Sequence, residues 1–224
     1  MNFPALVIFD MAGTTIEDRG QVQAAFKAAL AATGITVTDG EITRLRGASK
    51  REAISRLLPD AKADDADRIY RDFQRLLAAA YAADGGVREI IGASDVIRDL
   101  RAGGIKVALT TGFDRDIAVS LMNALGWKAD AVDAIVCGDD VPRGRPAPDM
   151  IFVTMKVTMV EDLARVANVG DTVLDLESAS RAGVKWNIGV LSGAHDRAAL
   201  ERAPHTHIVE SVAQILSVFV EAAP

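Results

Sequence analysis

Five short apolar runs, each followed by a polar or glycine-containing segment, recur along the chain. They lie at residues 5–9, 106–109, 134–137, 166–169 and 188–191. Continuous apolar runs are typical of strands in a parallel sheet that is covered on both faces. Helical patterns lie between them, at residues 94–101, 114–125, 148–157 and 175–182. This alternation predicts an α/β fold with a doubly wound parallel sheet.

One long segment interrupts the alternation. Between about residues 18 and 87 the pattern predicts no strand and four helices, at residues 21–32, 39–45, 50–58 and 65–83. Glycine and proline residues separate these helical patterns. We therefore predict an α/β core domain formed by residues 1–15 and 89–224, with residues 16–88 inserted as an all-helical cap domain.

Composition and charge narrow the functional classes. The 224 residues carry a formal net charge of −6, which excludes the broadly basic surface of a nucleic-acid-binding protein. The one cysteine cannot form a disulfide within the chain, which favours a reducing compartment. We find no secretory leader pattern and no run of about 18 apolar residues, so we expect a cytoplasmic protein that makes no membrane contact.

The ends of the predicted strands carry polar residues. Asp10, Thr111, Asp139 and Asp171 each follow one of the apolar runs. In open α/β sheets, ligands bind beyond the carboxyl ends of the strands. The pattern therefore predicts that these four side chains face one crevice.

Four short motifs could carry chemistry there. They are Asp10-Met11-Ala12-Gly13-Thr14-Thr15, Thr111-Gly112, Gly144-Arg145-Pro146, and Gly170-Asp171 with Asp175 four residues later. A carboxylate before a glycine turn can act as a nucleophile or as a ligand for a hard metal ion. Each motif alone also has an ordinary structural interpretation, as a turn or a helix cap.

In this order, the four motifs resemble the haloacid dehalogenase superfamily, and the resemblance extends over nearly the whole chain. It implies that Asp10 forms an aspartyl-phosphate and that Arg145 occupies the place of the usual lysine. It implies that Ala12, Gly13, Thr111 and Gly112 contact the phosphoryl group. It also implies an Mg²⁺ site formed by Asp10, the carbonyl of Ala12, and Asp171, supported by Asp175.

Ala12 departs from the pattern of the superfamily's phosphatases, which carry an aspartate at this position as the general acid. Such an acid contributes about 10²- to 10⁴-fold to the rate. Haloacid dehalogenases also lack it, but they need no metal, whereas Asp171 and Asp175 indicate one. The combination of Ala12 and Arg145 resembles the phosphonatase branch, that is, phosphonoacetaldehyde hydrolases.

Phosphonatases use a cap lysine that forms a Schiff base with the substrate aldehyde, and here Lys50 stands at the matching place. A neutral amine is required, and we expect Arg46 and Arg51 to lower its pKa. Arg46, Ala53 and Phe113 depart from the phosphonatase pattern, which has Met, His and Tyr at these positions. The alternative is that Lys50 only binds the substrate phosphate or orders the cap. Arg46 is a separate candidate for substrate binding.

These observations favour an Mg²⁺-dependent phosphonatase-like hydrolase acting on a small-molecule phosphonate or phosphate. Two alternatives stay open: a phosphate-monoester phosphatase, and a catalytically inactive binding protein of the same fold. The apolar content near Ile54, Leu57 and Leu58 permits a homodimer formed through the cap. We interpret His195, His205 and His207 as surface or loop residues.

Overall fold

The computed structural model describes residues 3–59, 64–83, 86–128 and 130–221, and the other parts of the predicted domains lie outside the described residues. The six strands form one parallel sheet in the order β3-β2-β1-β4-β5-β6. Their bounds are β1 Leu6–Asp10, β2 Lys106–Thr110, β3 Ala134–Val136, β4 Val166–Gly170, β5 Trp186–Val190 and β6 His207–Val209. This architecture confirms the predicted α/β fold class.

Helices cover both faces of the sheet, which explains the continuous apolar runs. In β1, Val7 and Phe9 pack into one hydrophobic cluster, while Leu6 and Ile8 pack into another on the opposite face. Every residue of this strand is therefore buried, and no polar alternation is needed. The helices that follow the first crossover are α5 Ala93–Ala102, α6 Arg115–Ala124, α7 Asp149–Thr158, α8 Val173–Ala182, α9 Arg197–Glu201 and α10 Ile215–Glu221.

The predicted strands do not include β6, the last strand of the sheet. Strand β6 is three residues long and only half-buried, so its apolar signal is weak. It places His207, which was expected on the surface or in a loop, in the partly exposed strand at the edge of the sheet. Helices α9 and α10 were also not predicted.

Four helices occupy the inserted segment: α1 Gln21–Ala31, α2 Asp39–Arg44, α3 Lys50–Leu57 and α4 Ala66–Ala83. Helix α4 packs against both α1 and α3. Phe26 of α1 and Phe73 of α4 stand at the centre, with ring centroids 4.5 Å apart. Ile54 is fully buried within this group and offers no surface for the dimer contact that the sequence permits, whereas Leu57 and Leu58 are half-buried.

The two chain segments that join these helices to the sheet run side by side. Ile16 and Glu89 form an isolated antiparallel bridge. The N–H of Glu17 donates to the carbonyl of Arg88 at 2.9 Å, and the N–H of Ile90 donates to the carbonyl of Thr15 at 2.9 Å. The chain therefore leaves and re-enters the α/β part through one narrow connection. None of the described helices is long and apolar enough to cross a membrane.

Candidate active site

The ends of the three central strands meet at a small cavity. Strand β1 lies between β2 and β4, so Asp10 at its end is flanked by the loops that carry Thr111 and Asp171. These three residues line a cavity of about 30 Å³ together with Ala12 and Gly112. The structure thus brings together the strand-end residues predicted on the three adjacent central strands.

Arg145 lies in the loop before α7, and its buried side chain extends to the same cavity. Its guanidinium donates to Asp10 Oδ1 at 2.6 Å and to Thr110 Oγ1 at 2.6 Å. Its Nε lies 2.9 Å from Asp175 Oδ1. The side chain is only 3% exposed, and the peptide bond that follows it, Arg145–Pro146, is cis. Arg145 therefore joins the end of β1 to the first turn of α8.

The electrostatics of Asp10 follow from this environment. Burial raises the pKa of its carboxyl group above the ordinary value, and the charge of Arg145 opposes that rise. Without Arg145, an ionised Asp10 would lie uncompensated in a buried site beside Asp171 and Asp175. The ion pair thus favours the carboxylate form, which is the form able to act as a nucleophile.

Asp171 is fully buried at the end of β4. The backbone N–H of Ala194 donates to its Oδ2 at 2.6 Å. Two glycines from distant parts of the chain, Gly13 and Gly193, lie against this carboxylate. A Cβ at either position would overlap it, so glycine is required at both. Burial raises the pKa of Asp171, and the negative charges of Asp10 and Asp175 raise it further.

Asp175 is positioned differently. Thr172 and Asp175 form a reciprocal capping box at the start of α8, so Oδ2 of Asp175 accepts from the backbone N–H of Thr172 at 3.1 Å. Its Oδ1 lies 2.9 Å from Nε of Arg145, but the two groups are not aligned for a hydrogen bond, so this oxygen accepts none. The capping box therefore fixes the carboxylate through Oδ2 and leaves Oδ1 without a hydrogen bond.

The donor set fits a divalent cation. Asp10 and Asp171 supply two buried carboxylates, Ala12 lines the same cavity, and Asp175 keeps one buried oxygen without a hydrogen bond. The carboxylate oxygens of the three aspartates do not all lie within 4.8 Å of one another. Hard cations such as Mg²⁺ prefer oxygen ligands, and a cation would relieve the repulsion that raises the pKa of Asp171.

Lys50 enters the cavity from the opposite side, as the first residue of α3. Its side chain is buried, with Nζ donating to the carbonyl of Ala48 at 3.3 Å and lying 5.1 Å from the ring centroid of Phe113. Among the described residues, no carboxylate forms an ion pair with it. Burial lowers the pKa of Lys50 to about 8, since the attraction of Asp10 only partly offsets it and the charge of Arg46 lowers it further.

Three glycines allow the segment that carries Lys50 to lie directly on the strand-end loops. A Cβ at Gly47 would overlap the hydroxyl of Thr172, and a Cβ at Gly112 would overlap the carbonyl of Ala48. A Cβ at Gly144 would lie 3.1 Å from Ser49. At positions 47 and 112 only glycine therefore permits this close approach of the inserted helices to the strand-end loops, and at position 144 the fit is tight.

Arg46 and Arg51 have different surroundings. Arg46 lines the cavity and forms an ion pair with Asp18, whose side chain is 1% exposed. Arg51 points away, pairs with Asp67 and lies over the ring of Tyr70, 4.5 Å from its centroid. The expectation that Arg51 lowers the pKa of Lys50 is therefore wrong, whereas Arg46 does lower it.

The remaining wall of the cavity is apolar. Helices α1, α2 and α3 contribute the side chains that enclose the space above Asp10: Val22, Phe26, Ile42, Leu45, Ala53 and Leu57. An enclosed apolar wall strengthens the electrostatic interactions inside the site.

The expectation for Asp139 was wrong, whereas His195 lies in a loop, as expected. Asp139 does not line the cavity; it is exposed and accepts a hydrogen bond from the N–H of Arg115 at 3.1 Å. His195 is half-buried, and its Nδ1 accepts from the N–H of Val173 at 3.0 Å. His195 therefore contacts the start of α8 from the loop after β5.

Two parts of the site were not foreseen. The loop after β5 supplies Ala194 to Asp171, and Ser192 Oγ donates to the carbonyl of Gly13 at 2.8 Å. The strand-end rule that singled out Asp10 could have found this loop. Asp18 gave no comparable signal, because its role depends on tertiary pairing with Arg46.

Comparisons with known proteins agree with this geometry. The family of haloacid dehalogenase-like hydrolases matches residues 7–188. A phosphonoacetaldehyde hydrolase of Paraburkholderia phytofirmans is 32% identical over 82% of this chain and 73% of its own length. One of Syntrophobacter fumaroxidans is 29% identical over 96% and 84%, respectively.

Solved structures give the same grouping. A hydrolase from Pseudomonas syringae superposes with a TM-score of 0.87 at 26% identity, covering 98% of this chain and 100% of its own. A phosphonoacetaldehyde hydrolase-like protein from Oleispira antarctica gives 0.84 at 26% identity, over 98% and 94%. The chain therefore belongs to the haloacid dehalogenase-like hydrolases and is an enzyme of their phosphonatase-like group.

Proposed function

We propose that the protein cleaves the carbon–phosphorus bond of a small phosphonate that carries a carbonyl group, with phosphonoacetaldehyde as the reference substrate. The observation that carries the proposal is that Lys50 and Asp10 line the same cavity in a chain whose position 12 is alanine. An amine with a lowered pKa faces a carboxylate nucleophile, and no aspartate at position 12 is available to protonate an alkoxide leaving group.

The first step uses Lys50. Its neutral amine adds to the carbonyl carbon of the substrate, and loss of one water gives an imine on Nζ. The buried position of Lys50 makes the neutral amine accessible near physiological pH, since its pKa is about 8. The protonated imine then attracts the electron pair of the carbon–phosphorus bond.

Asp10 acts in the second step. Its carboxylate attacks phosphorus in line with the carbon leaving group, and the bond's electron pair moves onto the imine to give an enamine. Because the electrons are accepted by nitrogen, no general acid is needed at Ala12. Water then hydrolyses the aspartyl-phosphate, while the enamine takes up a proton on carbon and is hydrolysed from Lys50.

Arg145 and the strand-end loops stabilise the developing charge. Arg145 is already held against Asp10 and Thr110, so it needs little reorganisation to contact a phosphoryl oxygen. Thr111 and Gly112 line the cavity and are placed to bind the phosphonate oxygens. Asp10, Asp171 and the carbonyl of Ala12 would hold Mg²⁺, which when bound neutralises the oxygens of the phosphonate.

The inserted helices act as a cap in this proposal. Cap residues supply Lys50 and the apolar wall, while the α/β core supplies the phosphonate site. The paired segments at Ile16 and Glu89 are the place where the two parts would hinge. Closure excludes water and brings the amine over the nucleophile.

Phosphate release from phosphonoacetaldehyde, measured with Mg²⁺ and after EDTA treatment, tests the proposal. We expect turnover with the metal, and a loss of at least about 10²-fold without it. A panel of sugar phosphates and nucleotides serves as the comparison. A higher kcat/KM on those esters would contradict the proposal and favour a phosphatase. If the protein turned over no substrate and did not bind Mg²⁺, an inactive binding protein would be favoured.

A further inference from the structure

The guanidinium of Arg46 faces the substrate cavity with part of its hydrogen-bonding capacity unused. Its NH2 group pairs with Asp18 Oδ2. Within the described part of the chain, no second hydrogen bond or ion pair of Arg46 is found. The side chain is 17% exposed, and it lines the same enclosed space as Lys50 and Asp10.

Asp18 fixes this orientation. Its side chain is 1% exposed, and its Oδ1 accepts from the backbone N–H of Gly20 at 3.0 Å. One carboxylate oxygen is thus anchored to the turn before α1 while the other holds Arg46. A guanidinium can bind one carboxylate along one edge and a second acceptor along another. The unused N–H groups therefore point to an acceptor that belongs to a ligand.

No other cap residue that lines the cavity is available to bind an anionic group of the substrate. Lys50 is committed to the carbonyl in the proposed reaction. Asp18 is itself an anion, and the other cap residues that line the cavity are uncharged. The planar guanidinium of an arginine can bind a planar carboxylate through two parallel hydrogen bonds. The ammonium group of a lysine acts as a point charge and does not offer this match. Arg46 and Lys50 line the same cavity and lie four positions apart in the chain. The anionic group it binds therefore lies next to the carbon that reacts with Lys50.

We propose that Arg46, oriented by Asp18, binds a carboxylate attached to the substrate's carbonyl carbon. The substrate class is then a 2-oxo acid that carries a phosphono group on the carbon beside the carbonyl. This inference rests on the proposed carbon–phosphorus cleavage and names its substrate more narrowly. It assigns Arg46 to specificity, separate from the nucleophile and the imine.

The reaction balances on such a substrate. Imine formation on Lys50 releases one water, and imine hydrolysis consumes one. Attack by Asp10 breaks the carbon–phosphorus bond, whose electron pair passes into the enamine, and the enamine carbon takes a proton from water. A further water hydrolyses the aspartyl-phosphate. The sum is one phosphono-2-oxo acid and one water giving phosphate and the unsubstituted 2-oxo acid.

The test compares 3-phosphonopyruvate with phosphonoacetaldehyde, which lacks the carboxylate. The quantity measured is the ratio of their kcat/KM values, from phosphate release, with each variant assayed at its own pH optimum. We expect wild type to favour 3-phosphonopyruvate and to release pyruvate. Arg46→Met should lower the ratio about 10²-fold, mainly through KM for the acid, and Arg46→Lys should lower it less.

Arg44→Met provides the matched control, because Arg44 lies two residues earlier on the exposed side of α2. Its ratio should equal that of wild type. Turnover of phosphonoacetaldehyde alone, or an equal loss on both substrates in Arg46→Met, would overturn the inference and leave the proposed function intact. Turnover of neither substrate by wild type would overturn both.

Discussion

The backbone N–H of Lys50 donates a hydrogen bond to the carbonyl of Gly112 at 3.1 Å. This bond joins the first residue of α3 to the loop that follows β2. It fixes the lysine of the inserted helices against the loop that we propose binds the phosphonate. In the proposed mechanism, closure of the cap therefore also assembles the site, since Lys50 reaches Asp10 only when the two parts are in contact.

Gly112→Ala tests that contact. The added Cβ would overlap the carbonyl of Ala48, so the segment from Arg46 to Lys50 must move. We expect kcat/KM to fall by about 10²-fold, because a displacement of about 1 Å is enough to misplace the reacting groups. Steady-state kinetics measure the loss.

Gly40→Ala is the control for this substitution. No atom lies within 4 Å of the position its Cβ would occupy, and Gly40 lies inside α2. Activity should be unchanged, and the free energy of unfolding should rise by about 0.5–1 kcal/mol from the better helix propensity. Full activity in Gly112→Ala would show that this close approach is not needed.

Asp10→Asn should abolish turnover while the fold survives. The amide is not a nucleophile, so we expect kcat to fall by at least about 10³-fold. The far-ultraviolet circular dichroism spectrum should match that of wild type. Asp139→Asn, at the end of β3 but outside the cavity, should keep full activity. Residual activity within tenfold of wild type in Asp10→Asn would contradict the nucleophile assignment.

Arg145→Lys should reduce both stability and activity, although it keeps the charge. A lysine cannot contact Asp10, Thr110 and Asp175 together, as the guanidinium does. We expect a loss of about 2 kcal/mol in the free energy of unfolding and about 10²-fold in kcat. Denaturant titration and phosphate release measure the two effects.

Arg143→Lys is the matched exposed substitution, because Arg143 pairs with Asp149 at the surface. Its effect on the free energy of unfolding should stay below about 0.5 kcal/mol. Equal effects of the two substitutions would mean that the buried contacts of Arg145 contribute nothing specific.

The pH dependence of imine formation follows from the pKa of Lys50. Burial lowers this pKa from the ordinary 10.5 to about 8, so the nucleophilic neutral amine predominates above pH 8. The rate of imine formation should therefore rise with pH and level off with a midpoint near 8. Stopped-flow measurement across pH 6–10.5 would locate it, and a midpoint near 10 would indicate an exposed, ordinary lysine.

Much of this site follows from where the buried strands end, which the sequence predicts well. Asp10, Thr111 and Asp171 follow buried apolar runs, and adjacent parallel strands bring such ends together. Asp139 follows a run of the same kind, but β3 is a short edge strand and Arg115 draws the carboxylate outward. Periodicity predicts which strand precedes a residue, and it does not predict the direction of a side chain in the following turn.

Other features depend on tertiary contacts that no local pattern records. The pairing of Asp18 with Arg46 joins residues 28 positions apart. The contact of His195 with the start of α8 depends on the placement of the loop after β5. Strand β6 is too short and too exposed for its three residues to stand out from a loop. Such features are determined by packing of elements that are distant in sequence.

Trapping the imine with borohydride tests the central claim most directly. The protein is incubated with phosphonoacetaldehyde at pH 8, reduced, digested and analysed by mass spectrometry. We predict one adduct, on the peptide that contains Lys50, and none in Lys50→Arg, while exposed lysines such as Lys27 and Lys106 stay unmodified. Phosphate release without any adduct on Lys50 would contradict the account.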